Sequence, residues 1–540
     1  MSCSIQLLPA AVVCVVVLEG REWVGHSWWR DVASGRTKND VSNFENSKSS
    51  RLGFELEEVI IDRQQQGSNK SNSHSSAGDS SWLLLHRTRF RMKHTADAII
   101  IGSGIIGTST ALHLARAGRK VIVVDKLPGA GQGSTSYSSG ICRMFYSVLD
   151  SVKFSWEGYQ YFSNWEDFIQ VKDDRGYANL RECGGMVFQS TSTAAWINKM
   201  LPLLQQVGVP HEIWNREKLE SKFGADSPFR MDFSMFAPPK RIDHPEFGMP
   251  VSDESVTGAL WIERTGYVSD PNLAVLNMQL ACESTGNTEF MFGSPVTRIL
   301  RDDTDSRVEG VLLDNGSIVS APVVVNVAGP HSSQVTKMAF EGGAERLNDM
   351  ILSTRALRQE VAYVNAPPGM SGVDHCYEEG ATLPIMGDVD TGVYFRPEVG
   401  GKILMGTTEP DCDHPLEFID DPDDVNLSLS DNHTNYMYRL ALRLPEIQLP
   451  GSSDTQGIVA CYDVTEDWTP IYDKSLLGGY YMAIGTSGEK KTKRTNYYYI
   501  IFRFSQHISQ HENETIYSSF FAIHLEHQEI NLKMQVLQVL

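Results

Sequence analysis

The stretch Asp97 to Lys126, DAIIIGSGIIGTSTALHLARAGRKVIVVDK, decides the fold. Asp97 to Ile101 is a short aliphatic and β-branched run, the composition of a strand buried on both faces. It breaks at Gly102-Ser103-Gly104, and Gly107 completes a G-x-G-x-x-G spacing. Ile105 to Gly118 then carries apolar residues at helical intervals and stops on glycine. Lys120 to Val124 reads as a second apolar strand, ending on Asp125. Each part has a physical task. Gly102 permits a tight turn, Gly104 lets backbone approach a pyrophosphate, and Gly107 lets helix and strand pack closely. The helix start at Ile105 and Ile106 offers unpaired N–H groups and the positive end of its dipole to phosphates. Asp125, followed by Lys126, is placed to accept from a ribose hydroxyl. A glycine triplet alone is weak evidence. Strand, glycines, helix, second strand and terminal acid in one 30-residue unit predict an adenine-dinucleotide site.

The rest of the chain narrows the class. Its 540 residues suffice for two to four domains. Hydrophobic content of 41% and charged content of 21% describe an ordinary globular composition. A net charge of −20 argues against nucleic-acid binding, which needs a basic face, and against a polybasic membrane-surface protein. The eight cysteines lie far apart with no C-x-x-C pair, which suits a reducing compartment and gives neither a disulfide framework nor a zinc site. No cluster of His, Cys and carboxylates has metal-ligand spacing along the chain, so no metal is expected. No apolar run reaches the roughly 18 residues of a membrane-spanning helix.

Residues 1–91 read differently. Leu7 to Leu18 is apolar, but no basic residue precedes it, and Glu19, Glu22, Asp31 and Asp40 do not suit a transit peptide. Residues 64–81 are rich in Gln, Ser, Asn and Gly. Residues 1–91 are expected to form a poorly ordered extension, with Met92 as the working start. The compartment, cytoplasmic or mitochondrial, stays open.

After Asp125 comes a Gly/Ser loop containing Gly133, Ser134 and Thr135, and then Arg143. A guanidinium beside apolar surface suits bidentate grip on a carboxylate. The aromatics that follow, from Phe145 and Tyr146 to Trp165, are expected to form helix core. Residues 199–222 read as helical. A hairpin is expected about Asp314-Asn315-Gly316, a type I′ turn sequence. Pro322 to Ser332, PVVVNVAGPHS, repeats the logic of a buried strand stopping at small residues, here Ala328 and Gly329. The acidic run Asp420 to Asp424 reads as a solvated loop.

With these motifs in this order, residues 96–488 resemble the FAD-dependent amine and amino-acid oxidoreductases grouped around D-amino-acid oxidase, sarcosine oxidase and dimethylglycine dehydrogenase. The resemblance implies an α/β fold, with a discontinuous glutathione-reductase-like FAD-binding domain and a mixed-sheet substrate domain. The FAD-binding domain would take in 92–180, 263–350 and 459–488, the substrate domain 181–262 and 351–458, leaving 489–540 as a divergent tail. It implies that Gly133-Ser134-Thr135 is a flavin loop and that Arg143 holds a substrate carboxylate. It also places the Val296 backbone at adenine, and Ala328, Gly329, Gly485, Ser487 and Gly488 on the coenzyme. Tyr137 stands where some members bond flavin through histidine, which implies non-covalent FAD. His331, where many relatives have tryptophan, is expected to pack against the coenzyme. Leu404 stands where sarcosine oxidases place a lysine thought to activate oxygen, which points to a dehydrogenase. Beyond Gly488 the match fails: the family's carboxylate-holding lysine falls on Thr492, and an altered splice or gene boundary is one explanation for the tail.

The implied reaction oxidises a C–N bond of a small amino acid, secondary or tertiary, by hydride transfer to flavin N5. An electron acceptor, either oxygen or an electron-transfer protein, would follow. Two alternatives stand: a catalytically silent assembly factor on this fold, and an NAD-dependent dehydrogenase.

Overall fold

The computed structural model describes residues 3–8, 11–18, 21–24, 93–251, 254–340, 354–367, 383–451, 454–466, 468 and 470–486. Ser487, Gly488, Thr492 and the tail expected over 489–540 therefore lie outside the described residues, as does most of 1–91. The chain divides into two units, Met1–Lys93 and His94–Leu540. In the first, strands Cys3–Leu8, Ala11–Leu18 and Arg21–Val24 form a small antiparallel sheet, and the apolar run Leu7 to Leu18 turns back on itself, with Leu8 opposite Ala11. Among the described residues no helix is long and apolar enough to cross a membrane.

The second unit is α/β. Its six-stranded sheet runs in the order Thr288–Met291, Val121–Val124, Ala98–Ile101, Val323–Asn326, Tyr480–Ile484, Ile471–Lys474. All neighbours are parallel except the last pair. Three adjacent strands, AIII, VIVV and VVVN, are buried at every position, because both faces of the sheet are covered. Alternate residues go to opposite sides. Ile100, Val123 and Val325 pack with Leu112, Ala274 and Met278 of helices Ile105–Arg116 and Pro271–Ser284. Ile99, Val124 and Val324 pack with Ile299, Val311 and Val319 of a four-stranded sheet. The second helix begins on a proline and an acid. Pro271 occupies its first turn, and the Asp270 carboxylate accepts from Leu273 N at 2.9 Å.

A nine-stranded mixed sheet stands beside this one. It orders Glu212–Asn215, Gly258–Ile262, Gly185–Gln189, Ile385–Asp388, Val393–Glu398, Lys402–Thr407, Thr354–Asn365 and Phe418–Ile419, with Gln456–Thr465 also paired to Thr354–Asn365. Only the junction of Ile385–Asp388 with Gly185–Gln189 is parallel. Helix Asn432–Arg443 closes the far face, where Met437 and Leu440 join Phe395 and Met405. Its Arg443 pairs with Asp388 at 2.7 Å, both fully buried.

Two local expectations are corrected. Residues 199–222 are not one helix but two, Ala194–Val207 and Arg216–Phe223, with strand Glu212–Asn215 between. Gly208, at φ +79°, ends the first, and Asn215 caps the second by accepting from Lys218 N. The hairpin at Asp314-Asn315-Gly316 is not type I′. Leu313 N donates to Ser317 O at 2.9 Å and Gly316 N to Leu313 O at 3.0 Å, leaving a three-residue loop, 314–316, in which Gly316 (φ +83°) takes positive φ and Asn315 does not. This is the bulged type I solution, in which one glycine supplies the whole left-handed requirement.

Candidate functional site

A cavity of about 660 Å³ opens beyond the carboxyl ends of Ala98–Ile101, Val121–Val124 and Val323–Asn326 and extends under the mixed sheet. In open parallel sheets this is where ligands bind. Gly102, Gly104, Ile105, Ile106, Asp125, Lys126, Gly133, Ser134, Thr135, Arg143, Val296, Ala328 and Gly329 all line it. Gly107 and Gly485 do not; they act from behind.

The glycine turn is shaped so tightly that side chains have no place in it. Gly102 has φ +114°, and a Cβ there would lie 2.5 Å from Val327 O. A Cβ on Gly107 would lie 1.8 Å from Gly102 O, so the third glycine lets the helix close onto the turn itself. The Thr135 hydroxyl reaches back to accept from Ile105 N at 3.2 Å, drawing the Gly/Ser loop over the helix start. Ser134 Oγ donates to Cys461 O at 2.9 Å, which ties the same loop to the mixed sheet. Asp125 Oδ2 accepts from Ser103 N (2.7 Å) and Ser103 Oγ (2.6 Å), and its Oδ1 accepts from Leu127 N (2.9 Å). The acid at the end of the second strand thus rigidifies the turn as well as facing the cavity.

Behind the second small-residue turn lies Asn326, fully buried. Its amide donates to Ser332 O and Thr336 Oγ1, and its Oδ1 accepts from Ala328 N. Asp463 performs a similar service for the last strand. Its Oδ2 accepts from Gly485 N at 2.6 Å, where Gly485 takes φ +65°. Asp463 also lines the cavity, and burial pushes its carboxyl up to about 6, against the partial relief of the Gly485 N–H and the nearby Thr354 and Ser332 hydroxyls. Neither Asn326 nor Asp463 announces itself in the sequence, since each sits in a strand and only the topology brings it to the turn it holds.

Beside Asp125 and Lys126 the acidic run contributes more than a solvated loop. Pro422 and Asp423 line the cavity. Lys126 Nζ donates to His331 Nε2 at 2.8 Å and pairs with Asp423, and Asp423 lies 3.1 Å from the same imidazole nitrogen. His331 is held below its ordinary range, first by burial and then by the Lys126 ammonium, with Asp423 opposing. His331, Asp421 and Asp423 come within 4.8 Å of one another. No spacing along the chain foretold this group, but Lys126 already supplies its positive charge.

The opposite end is made of side chains. Arg143 follows strand Ile141–Cys142, and its guanidinium lies over the Tyr146 ring, 5.8 Å from the centroid. Gly387 faces it, leaving room for the guanidinium. Phe145 and Tyr146 precede helix Leu149–Ser163 and line the cavity, so these two aromatics are wall rather than helix core. Phe162 and Trp165 are core, stacked at 4.7 Å. Tyr394 lies across Gly406, with the Ser139 and Tyr462 hydroxyls near its phenol, which burial pushes up. Glu409, one of the few non-glycine residues with positive φ (+54°), also reaches the cavity, and its carboxylate accepts from the Gln359 amide. Leu404 is buried and does not line the cavity, so it carries no information about oxygen access. Tyr137 does line it.

The fit to a dinucleotide coenzyme rests on the glycine turn, where a Cβ at Gly102 or Gly107 would strike backbone, and on the helix start facing a long cavity that reaches the mixed sheet. Residues 97–492 match the family described as FAD dependent oxidoreductase, and the chain belongs to it. Its cofactor is FAD. The chain is 23% identical over 333 residues to 4-methylaminobutanoate oxidase (formaldehyde-forming) of Paenarthrobacter nicotinovorans, covering 59% of this chain and 33% of that protein. It is 31% identical over 75 residues to mitochondrial dimethylglycine dehydrogenase of Homo sapiens, covering 14% and 9%. The chain thus spans a third or less of the length of these relatives. In fold it is similar to L-proline dehydrogenase from P. horikoshii (TM-score 0.58, 16% identity, 78% of this chain and 95% of that one). Glycine oxidase from Geobacillus kaustophilus is similar to the same degree (0.56, 17%, 79% and 98%). The α/β fold with mixed sheets is that of these flavoenzymes.

Proposed function

We propose that the chain oxidises the C–N bond of a small amino acid, secondary or tertiary, with non-covalently held FAD. The single observation that carries this reading is one cavity with the tight glycine turn at one end and Arg143 at the other. Bound FAD supplies the hydride acceptor. Everything else falls to the chain. The Ile105 helix start and the backbone at Gly104 and Ala328 meet the phosphates; Asp125 and Lys126 face the ribose, and Val296 the adenine. The Gly/Ser loop from Gly133 to Thr135 covers the coenzyme, and Tyr137 offers no imidazole for a covalent link. Arg143 grips the substrate carboxylate and so places the carbon beside nitrogen under the mixed sheet. That carbon would give up hydride as the nitrogen lone pair forms the imine, which water would hydrolyse, and oxygen or an electron-transfer protein would serve as the final acceptor.

The test is anaerobic mixing of the yellow holoprotein with N-methylated and ordinary amino acids. Bleaching of the flavin band by one of these acids is the expected result. A holoprotein that binds FAD but is reduced by none of them defeats the proposal.

A further inference from the structure

The surroundings of Arg143 are largely apolar and bulky. Phe145, Tyr146, Val187, Trp196 and Ile385 wall this end of the cavity. Phe145, Tyr146 and Val187 belong to one buried cluster, against which Trp196 packs. Trp196 sits in the first turn of helix Ala194–Val207 and stays half-exposed, while Val187 and Ile385 come from neighbouring strands of the mixed sheet. In the wall segments 143–147, 185–196 and 385–389, Arg143 is the sole charged side chain among the described residues that lines the cavity; Glu409, which accepts from the Gln359 amide, also lines this end, from outside those segments.

We infer that the acid held by Arg143 carries a bulky apolar substituent, aromatic or branched aliphatic, seated against Trp196 and Val187. This rests on the proposed grip of Arg143 on a carboxylate. The physical reason is the wall itself. A substrate of one or two carbons would leave aromatic and aliphatic edges facing trapped water, whereas a phenyl-sized group displaces that water and gains contact. The wall is preformed by packing, so the substituent is recognised without rearrangement of the cluster.

The experiment uses the FAD-loaded full chain and acids that cannot be oxidised, acetate and phenylacetate, with binding read by calorimetry and by perturbation of the flavin absorption. Phenylacetate should bind about 10-fold or more tightly than acetate. Trp196→Ala should shrink that ratio to about threefold or less, and Trp196→Phe should retain most of it. Equal affinity of the two acids for the unaltered protein overturns the inference, whatever the variants do. A preference that survives Trp196→Ala overturns the assignment to this wall. Arg143→Ala separates the two readings. If acetate binding is indifferent to it, the carboxylate grip fails and this inference with it. If Arg143→Ala abolishes binding while no size preference exists, the grip stands and only the inference falls.

Discussion

The two ends of the cavity are made of different materials. The end proposed for the coenzyme is shaped by backbone: Gly102, Gly104, Ala328 and Gly329 face it beside the side chains of Asp125, Lys126 and Val296, and Gly107 and Gly485 act from behind because a Cβ would strike neighbouring atoms. The end proposed for the substrate is shaped by side chains: Arg143, Tyr146, Trp196, Tyr394 and Glu409, drawn from different elements. A backbone site tolerates almost no substitution and serves one invariant ligand. A side-chain site can be rewritten one residue at a time.

The largest effect should come from the backbone end. Gly107→Val places carbon where Gly102 O already lies, so the helix must move off the turn. The variant should be colourless or insoluble; a soluble yellow Gly107→Val protein would break the contrast between the ends. Arg143→Ala should be less drastic, since the cavity and the coenzyme cradle stay intact. Loss of a charged hydrogen bond is worth ~2–3 kcal/mol, so KM for an acid substrate should rise about 100-fold while FAD binding holds. Steady-state kinetics beside a flavin titration reads both.

Asp463 sharpens the comparison through pH. Its carboxyl titrates near 6 in the fold, against about 4 in the unfolded chain, so the native state holds the proton more tightly. The stability this gives is complete below pH ~4, falls as pH rises towards 6, and is gone above it. Asp463→Asn keeps an acceptor for Gly485 N–H and has no charge to bury. Relative to the unaltered protein it should gain up to about 2 kcal/mol between pH 4 and pH 7, measured by urea unfolding across that range. Parallel unfolding curves at both pH values would remove Asp463 from the account. The smallest effect belongs to Asp423→Ala. Asp423 is largely exposed, its pair with Lys126 is worth ~0–1 kcal/mol, and FAD affinity should change less than about fivefold and lose salt sensitivity.

This division of materials also explains what could be read without coordinates. Glycine spacing, a buried strand and a terminal acid are local, and the loop from Gly133 to Arg143 follows at once. The parallel sheet and the coenzyme cradle were therefore visible in Asp97 to Lys126. The holders of the turns were not. Asn326 reads as one more residue of VVVN, and Asp463 as an acid in a strand, until pairing sets them beside Ala328 and Gly485. Asp423 looked solvated because its partner Lys126 is nearly three hundred residues away. Phe145 and Tyr146 read as helix core because aromatic content is blind to where a helix begins; the helix starts at Leu149.

The order of strands has a bearing on synthesis. Val323–Asn326 is flanked by Ala98–Ile101 on one edge and by Tyr480–Ile484 on the other. During translation its second edge stands bare until the roughly 150 intervening residues have emerged, some ten to thirty seconds at ordinary elongation rates. An unpaired edge on a strand of three consecutive valines is an invitation to aggregate. Nascent chains of this protein should accordingly depend on a ribosome-associated chaperone until Tyr480–Ile484 has emerged.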